Sequence, residues 1–135
     1  MMVYMNDDDA RAHFVRDISA ALEGSTWRWT QKRPALKVLL VKTAGLKYVV
    51  DFTLPEPTMQ QTGPVNISFF LGDRLLDRVR YEKPGFQHYE KPIPPEWLQT
   101  TTETEISAEI DKLYKSPTDG ATLGFILTRM GFERR

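Results

Sequence analysis

The sequence predicts an all-β fold, an antiparallel β-sandwich of jelly-roll type, and three observations predict it. Glycine- and proline-containing turn signals recur at short spacing along the chain. The segments between them mostly alternate apolar and polar residues, as half-buried strands do. The last segment is an apolar run that follows Asp119-Gly120, which is typical of a final strand inserted into an existing sheet. We therefore expect one domain over residues 1–135, in which residues 1–24 form an N-terminal helix or extended arm and residues 25–135 the sandwich.

The middle of the chain carries the clearest alternation. The apolar positions are Tyr48, Val50, Phe52 and Leu54 in one segment and Val65, Ile67, Phe69 and Leu71 in the next. Gly72-Asp73 then predicts a tight hairpin, because glycine tolerates positive φ, with a return strand over Arg74 to Tyr81. The stretch from Leu36 to Val41 is apolar on both faces, as expected for a central strand.

Two segments fit more than one structure. In residues 7–23 an apolar residue recurs every four positions, and this spacing favours a helix, with a strand through His13–Ile18 as the competing interpretation. The recurring residues are Ala10, Phe14, Ile18 and Leu22. In residues 102–114 a capping box at Thr102 and Glu105 fits a helix, but clean alternation and the neighbouring strands favour a strand.

The C-terminal strand is predicted to be apolar on both faces. Leu123, Phe125 and Leu127 share one face, and Ile126 and Met130 share the other. Such a strand is covered on both sides, so the sandwich closes late in the chain. Truncation after about residue 119 should therefore prevent folding.

Composition excludes several classes of protein. The absence of cysteine excludes disulfides, thiolate metal sites and cysteine nucleophiles. The 18 basic residues balance 18 acidic ones, which argues against a nucleic-acid binder. Apolar runs fall short of the roughly 20 residues that a membrane span needs, and Met1 to Met5 is too short for a signal sequence. We expect a cytoplasmic protein of bacterial type, or one module of a larger system.

Four tracts together resemble a known type of module. They are TWRWT, PVNISFFLGDRLL, PGFQHYEKPIPPEWL and DGATLGFILTRMGF. The chain resembles the small β-sandwich modules that occur alone, or beside sugar-transfer and methyl-transfer domains, in bacterial proteins concerned with surface glycans. The resemblance covers most of residues 26–132, and its motifs are structural. It implies a sandwich fold, favours a strand over Glu103–Tyr114 and, by analogy with carbohydrate-binding sandwiches, implies a non-catalytic binding module.

Sugar binding would need exposed aromatic faces with polar neighbours that bond the hydroxyl groups. The candidate ligand-binding residues are Trp29, Arg33, His88, Tyr89 and Trp97. His88 and Tyr89 lie on a proline-flanked segment that we expect to be exposed. The competing structural roles are a core position for Trp29, which shares a strand face with Trp27, and a plug at one end of the sandwich for Trp97.

No catalytic constellation is visible. The chain has two histidines, His13 and His88, and no serine in a G-x-S-x-G context. Zinc would require three or four suitable ligands, and no glycine-rich phosphate loop is present. We therefore expect no catalytic residue, no metal and no cofactor. The expected partner is a glycan or other small molecule, and the alternative is a structural or protein-interaction domain that can form homo-oligomers.

Overall fold

A computed structural model describes residues 1–135, and antiparallel strands dominate it. The strands are β1 (Met2–Tyr4), β2 (Phe14–Ile18), β3 (Arg28–Val38), β4 (Leu46–Leu54), β5 (Val65–Leu71), β6 (Arg74–Tyr81), β7 (Gly85–Pro92), β8 (Thr104–Ile110), β9 (Tyr114–Lys115), β10 (Thr122–Leu123) and β11 (Ile126–Arg134). One α-helix, α1 (Glu56–Thr62), and two 3-10 turns, Ala10–His13 and Pro95–Trp97, complete the secondary structure. The predicted all-β, sandwich-like fold is confirmed.

Nine of the strands form one curled sheet. Its order is β6-β5-β8-β3-β11-β4-β7, with β1 beside β11 and β2 beside β3, while β9 and β10 form a separate two-stranded ribbon. The sheet divides into a first arm of β1, β11, β4 and β7 and a second arm of β2, β3, β8, β5 and β6. The arms join where Arg28 and Trp29, at the start of β3, pair with Leu127 and Ile126 of β11.

Aromatic side chains from both arms fill the space between them. The Tyr48 hydroxyl of β4 donates to the Ser107 carbonyl oxygen of β8 at 2.9 Å. Tyr89 of β7 stacks flat on Phe69 of β5, with ring centroids 3.8 Å apart. Burying side chains of this size stabilises the fold by about 1.5–3 kcal/mol each. The cavity beside Met59 at the α1 end of this core has about 10 Å³, so the interior is a packed core without room for a ligand.

Most of the strands predicted from alternation are confirmed. β4, β5 and β6 follow the predicted segments, and Gly72, at φ 57°, forms the hairpin turn between β5 and β6. The ambiguous residues 103–114 contain β8, which confirms the preferred strand. β11 lies between β3 and β4, as expected for a last strand inserted into an existing sheet.

The N-terminal helix prediction is wrong. Residues 7–23 contain a single 3-10 turn at Ala10–His13, followed by β2, so the competing strand interpretation is the correct one. β2 pairs with β3 through Phe14, Arg16 and Ile18, with two register shifts. These irregularities explain the misleading spacing, because they change the alternation of side chains along the strand.

Other boundaries also differ from the prediction. The α1 helix occupies residues 56–62, where the proline-flanked sequence indicated only a turn. β3 ends at Val38, so Leu39 and Val41 are exposed instead of extending a central strand. An irregularity between Leu127 and Arg129 places Met130 in the buried core with Leu127, although strict alternation predicts opposite faces.

The two tryptophans of β3 and its approach do not fill the core. Trp27 and Trp29 are half-buried, whereas their neighbours Arg28 and Thr30 are buried. Arg28 is accommodated because it donates hydrogen bonds to the carbonyl oxygens of Met5, Ser19 and Ala20. At the start of β3 the alternation is therefore the reverse of the one that hydrophobicity predicts, because backbone acceptors inside the fold satisfy the arginine, whereas Leu36 and Val38 further along are buried as expected.

Candidate functional site

The five predicted site residues are distributed over three places. His88 lies on the outer face of β7, and Tyr89 beside it points into the core. Trp97 lies in the 3-10 turn before β8, while Arg33 and Trp29 lie at different points along β3. These places differ in the polar groups that remain free to bind a ligand.

His88 belongs to a closed ring of charged side chains on the outer face of β11, β4 and β7, which we call the charge ring. Its members in order are Asp51, His88, Glu90, Lys47, Glu133 and Arg129. Acidic and basic groups alternate around the ring, and each contacts both of its neighbours. Register creates it, because Arg129, Asp51 and His88 occupy one row across three paired strands.

Hydrogen bonds favour the charged forms of His88, Glu90 and Arg129. The two nitrogens of His88 face carboxylate oxygens, Nδ1 that of Asp51 and Nε2 that of Glu90 at 2.8 Å, so the imidazolium can donate to both. The hydrogen bond to Glu90, and then that to Asp51, raises the pKa of His88. In return His88 and then Lys47 lower the pKa of Glu90. Asp51 likewise raises the pKa of Arg129.

Both side-chain nitrogens of His88 are engaged within the charge ring. Neither ring nitrogen is free to accept a proton from a nucleophile, since each faces a carboxylate. Tyr89, predicted to be exposed, is buried between the arms, where its hydroxyl donates to Asp77 at 3.2 Å. Of the two residues that the sequence favoured as ligand-binding, His88 thus belongs to an ion-pair network and Tyr89 to the core.

Arg33 is also held by the fold. Its guanidinium lies 4.1 Å from the centroid of the Phe70 ring, and its Nε donates to the Ser107 hydroxyl at 3.1 Å. A longer ion pair of 3.6 Å joins it to Glu109. These three contacts fasten β3 to β8 and β5, and the Arg33 side chain remains 29% exposed.

Trp97 lines a wide pocket of about 450 Å³ near the start of β8. Gln99, Glu103 and Glu105 supply polar groups to the same wall. The guanidinium of Arg74 lies 4.0 Å from the centroid of the Trp97 ring and covers one of its faces. A sugar ring stacking there would first have to displace a cation–π contact.

Trp29 lines a different groove, between β2 and β3, of about 290 Å³. We call it the Trp29 groove, and its walls are Asp17, Ile18, Ser19, Trp29, Thr30, Gln31 and Leu123. Trp27 meets the Trp29 ring edge-on, with centroids 6.0 Å apart and planes at 85°. This contact fixes the Trp29 ring at its place beside the polar side chains.

Backbone strain is stored at the edge of the groove. Asp17 has φ 59°, in the left-handed region that residues other than glycine rarely adopt. Its carboxylate oxygen Oδ2 accepts a hydrogen bond from the Arg33 backbone N–H at 2.9 Å, which holds the conformation. A strained conformation of this kind costs about 1–3 kcal/mol, which the surrounding structure must offset. Such conformations are found most often at functional sites.

Several polar groups of the groove remain available. Asp17 uses Oδ2 internally but leaves Oδ1 free, and the Ser19 hydroxyl accepts from Ala21 N–H while its own hydrogen is free to be donated. The Gln31 side chain is exposed and makes no hydrogen bond within the chain. The groove therefore offers a carboxylate acceptor, a hydroxyl donor and an amide next to an aromatic ring.

The far wall of the groove depends on a close backbone approach at Gly124. Its N–H donates to the Thr30 carbonyl oxygen at 2.7 Å. A Cβ at this position would lie 2.3 Å from the Gln31 carbonyl oxygen, so only glycine allows the approach. Thr30 completes the junction, since its hydroxyl donates to the Phe125 carbonyl oxygen and accepts from the Phe125 N–H. These bonds hold Leu123 on the groove wall.

Comparison with protein-family models and with curated proteins gives no match for this chain. The chain also has no helix long and apolar enough to cross a membrane.

Sequence reasoning identified Trp29 but missed its polar neighbours. Asp17, Ser19 and Gln31 are separated from one another in sequence, and the first two lay in a segment interpreted as a helix. If residues 14–18 are assigned as a strand, Asp17 and Ser19 become candidates for the site. The pairing of Ile18 with Thr30 then places β2 and β3 at the same groove.

Proposed function

We propose that the protein is a non-catalytic module that binds a carbohydrate in the Trp29 groove. The observation that carries the proposal is the presence of free hydrogen-bonding groups on Asp17, Ser19 and Gln31 beside the Trp29 ring. Sugars combine apolar C–H faces with hydroxyl groups that donate and accept. An aromatic face with a few placed polar groups complements both features.

The size of the groove supports a small ligand. About 290 Å³ lies at the lower end of the range for small-molecule sites and suits one or two sugar rings. The groove is open at the surface, so a terminal residue of a longer glycan can enter while the remainder stays in solvent. Affinity from such a site is modest, since few contacts offset the loss of ligand freedom.

Calorimetry and NMR titration test the proposal. The ligands are a panel of neutral hexoses and short glycans at millimolar concentration. We expect saturable binding that Trp29→Ala abolishes and that Gln31→Ala weakens about fivefold, as expected for one lost hydrogen bond. Trp97→Ala is the matched control, because it removes a partly exposed tryptophan from another pocket, and it should leave binding unchanged. If no member of the panel binds, the proposal is wrong. If only Trp97→Ala loses binding, the ligand binds in the Trp97 pocket and the proposed site is wrong.

A specific observation also supports self-association as a second candidate function. β6 and β7 each pair with a neighbour on one side only, so both present a free edge. Phe86, at the start of β7, is 63% exposed. A second copy can pair with such an edge and cover this ring. Light scattering after size exclusion tests this, and a strict monomer at high concentration would contradict it.

A further inference from the structure

The loop between β3 and β4 presents apolar side chains to solvent. Val41 is 94% exposed and Leu39 is 50% exposed, whereas Leu40 between them is buried in the core. Buried Leu40 anchors the loop, so its two neighbours are held outward in a defined arrangement. We call residues Leu39–Lys42 the apolar tip.

A shallow apolar groove of about 290 Å³ continues from the apolar tip. It is lined by Met1, Leu39, Leu40, Val41, Lys42, Leu46, Glu133 and Arg134. The Met1 side chain is also about half exposed. Contiguous exposed apolar residues with a polar rim mark an interaction surface more often than scattered single residues do.

The charges at the rim indicate the kind of partner. Glu133, the one carboxylate on the groove wall, is already paired with Lys47 and Arg129 in the charge ring. The cations Lys42 and Arg134 therefore lie beside the apolar surface without a partner. The chain as a whole has a formal net charge of zero, so any attraction to an anionic partner must come from these local groups.

We propose that the apolar tip docks onto the surface of an anionic lipid bilayer. Leu39 and Val41 would enter the boundary between headgroups and acyl chains, and Lys42 and Arg134 would lie among anionic headgroups. A second copy of the chain is a poorer occupant. A two-fold contact between apolar tips would bring the unpaired cations of both copies together around an apolar surface, whereas lipid phosphates neutralise them.

Co-sedimentation with vesicles tests the proposal. One set contains phosphatidylcholine alone and the other equal parts of phosphatidylcholine and phosphatidylglycerol. We expect partition to be roughly 25-fold stronger for the anionic vesicles, since each cation near an anionic surface contributes about fivefold. High salt should remove this preference. The variant Leu39→Ser with Val41→Ser should lower partition at least about tenfold through lost apolar burial, and Lys42→Gln about fivefold.

Val15→Ser provides the matched control, because it removes an exposed apolar side chain of β2, away from the apolar tip. It should partition like the unaltered protein. The proposal is overturned if the protein stays in the supernatant with anionic vesicles, if neutral vesicles bind equally well, or if the double variant partitions unchanged. A dimer that the same double variant dissociates in light scattering would assign the apolar tip to a second copy and would also overturn it.

Discussion

The charge ring and the Trp29 groove are both polar surfaces on strands of the same sheet, but they differ in how their polar groups are used. In the charge ring every side chain contacts two oppositely charged neighbours. In the Trp29 groove, Asp17 keeps one free oxygen and Gln31 has no internal partner. Satisfied groups stabilise the fold, whereas unsatisfied ones remain available to a ligand.

Residue type alone would favour the charge ring over the Trp29 groove as the functional site, and the free hydrogen-bonding groups favour the opposite order. A histidine with two carboxylates has the composition of a catalytic site, and a tryptophan beside an amide does not. Yet both His88 nitrogens are occupied, and the strained Asp17 lies at the Trp29 groove. Residue type is therefore a weaker guide to function here than the remaining hydrogen-bonding capacity of each group.

The largest effect should come from removing β11, which contributes to the charge ring and to the junction beside the groove. β11 lies between β3 and β4 and contributes Arg129 to the ring and Leu127 to the core. Truncation after Asp119 should abolish cooperative folding, because β4 and β3 lose their shared neighbour. Circular dichroism and thermal melts measure this. A truncated chain that melts cooperatively would show that the sheet closes without β11.

A substitution within the charge ring should cost more stability than one in the groove. Asp51 is only 10% exposed at its side chain, and it bonds to both His88 and Arg129. Asp51→Asn should lower the free energy of unfolding by about 2–3 kcal/mol, because partly buried Arg129 loses one of its two counter-charges and His88 loses one of its two carboxylate partners. Urea denaturation measures the change.

Gln31→Ala is the control for this comparison, since Gln31 is exposed and makes no internal hydrogen bond. It should change the free energy of unfolding by less than about 0.5 kcal/mol. Glu90→Gln should lie between the two, because exposed ion pairs contribute little to stability. Equal effects of Asp51→Asn and Gln31→Ala would remove the distinction between a structural ring and an open groove.

The smallest effect should be a pH dependence of stability through His88. Its pKa is raised above 6.5 in the folded state, so its stabilising contribution is complete below pH 6.5 and is lost as the pH rises through the raised value. The effect should be smaller than that of Asp51→Asn, because the His88 side chain is 38% exposed.

The pKa of Glu90 is lowered from 4.5, so its contribution is present above pH 4.5 and is lost as the pH falls through its folded value. Urea midpoints measured from pH 2.5 to 9, compared between the unaltered protein and His88→Gln, check both the acid and the alkaline decline. A variant with the same decline in stability at alkaline pH as the unaltered protein would show that His88 is not the group responsible.

The sequence by itself determined the strands that have one buried face. β4, β5 and β8 were predicted because alternation of apolar and polar residues has the same period as the pleat, and β6 was predicted as the return strand of the Gly72-Asp73 hairpin. The prediction that both faces of the C-terminal strand are apolar is wrong, because Arg129 and Glu133 on its outer face belong to the charge ring. Its place as an inserted strand was predicted from the apolar run that follows Asp119-Gly120. These features are local, so they are visible within a few consecutive residues.

Only the tertiary structure decided which residues meet. The charge ring joins Lys47 to Glu133, and the groove joins Asp17 to Gln31, through strand register that no short window of sequence contains. Two register shifts in the pairing of β2 with β3 gave the sequence of β2 a spacing of apolar residues that resembles a helix. Arg28 faces the core because the carbonyl oxygens of Met5 and Ala20 accept its hydrogen bonds. Trp29, the next residue on the strand, therefore faces outward.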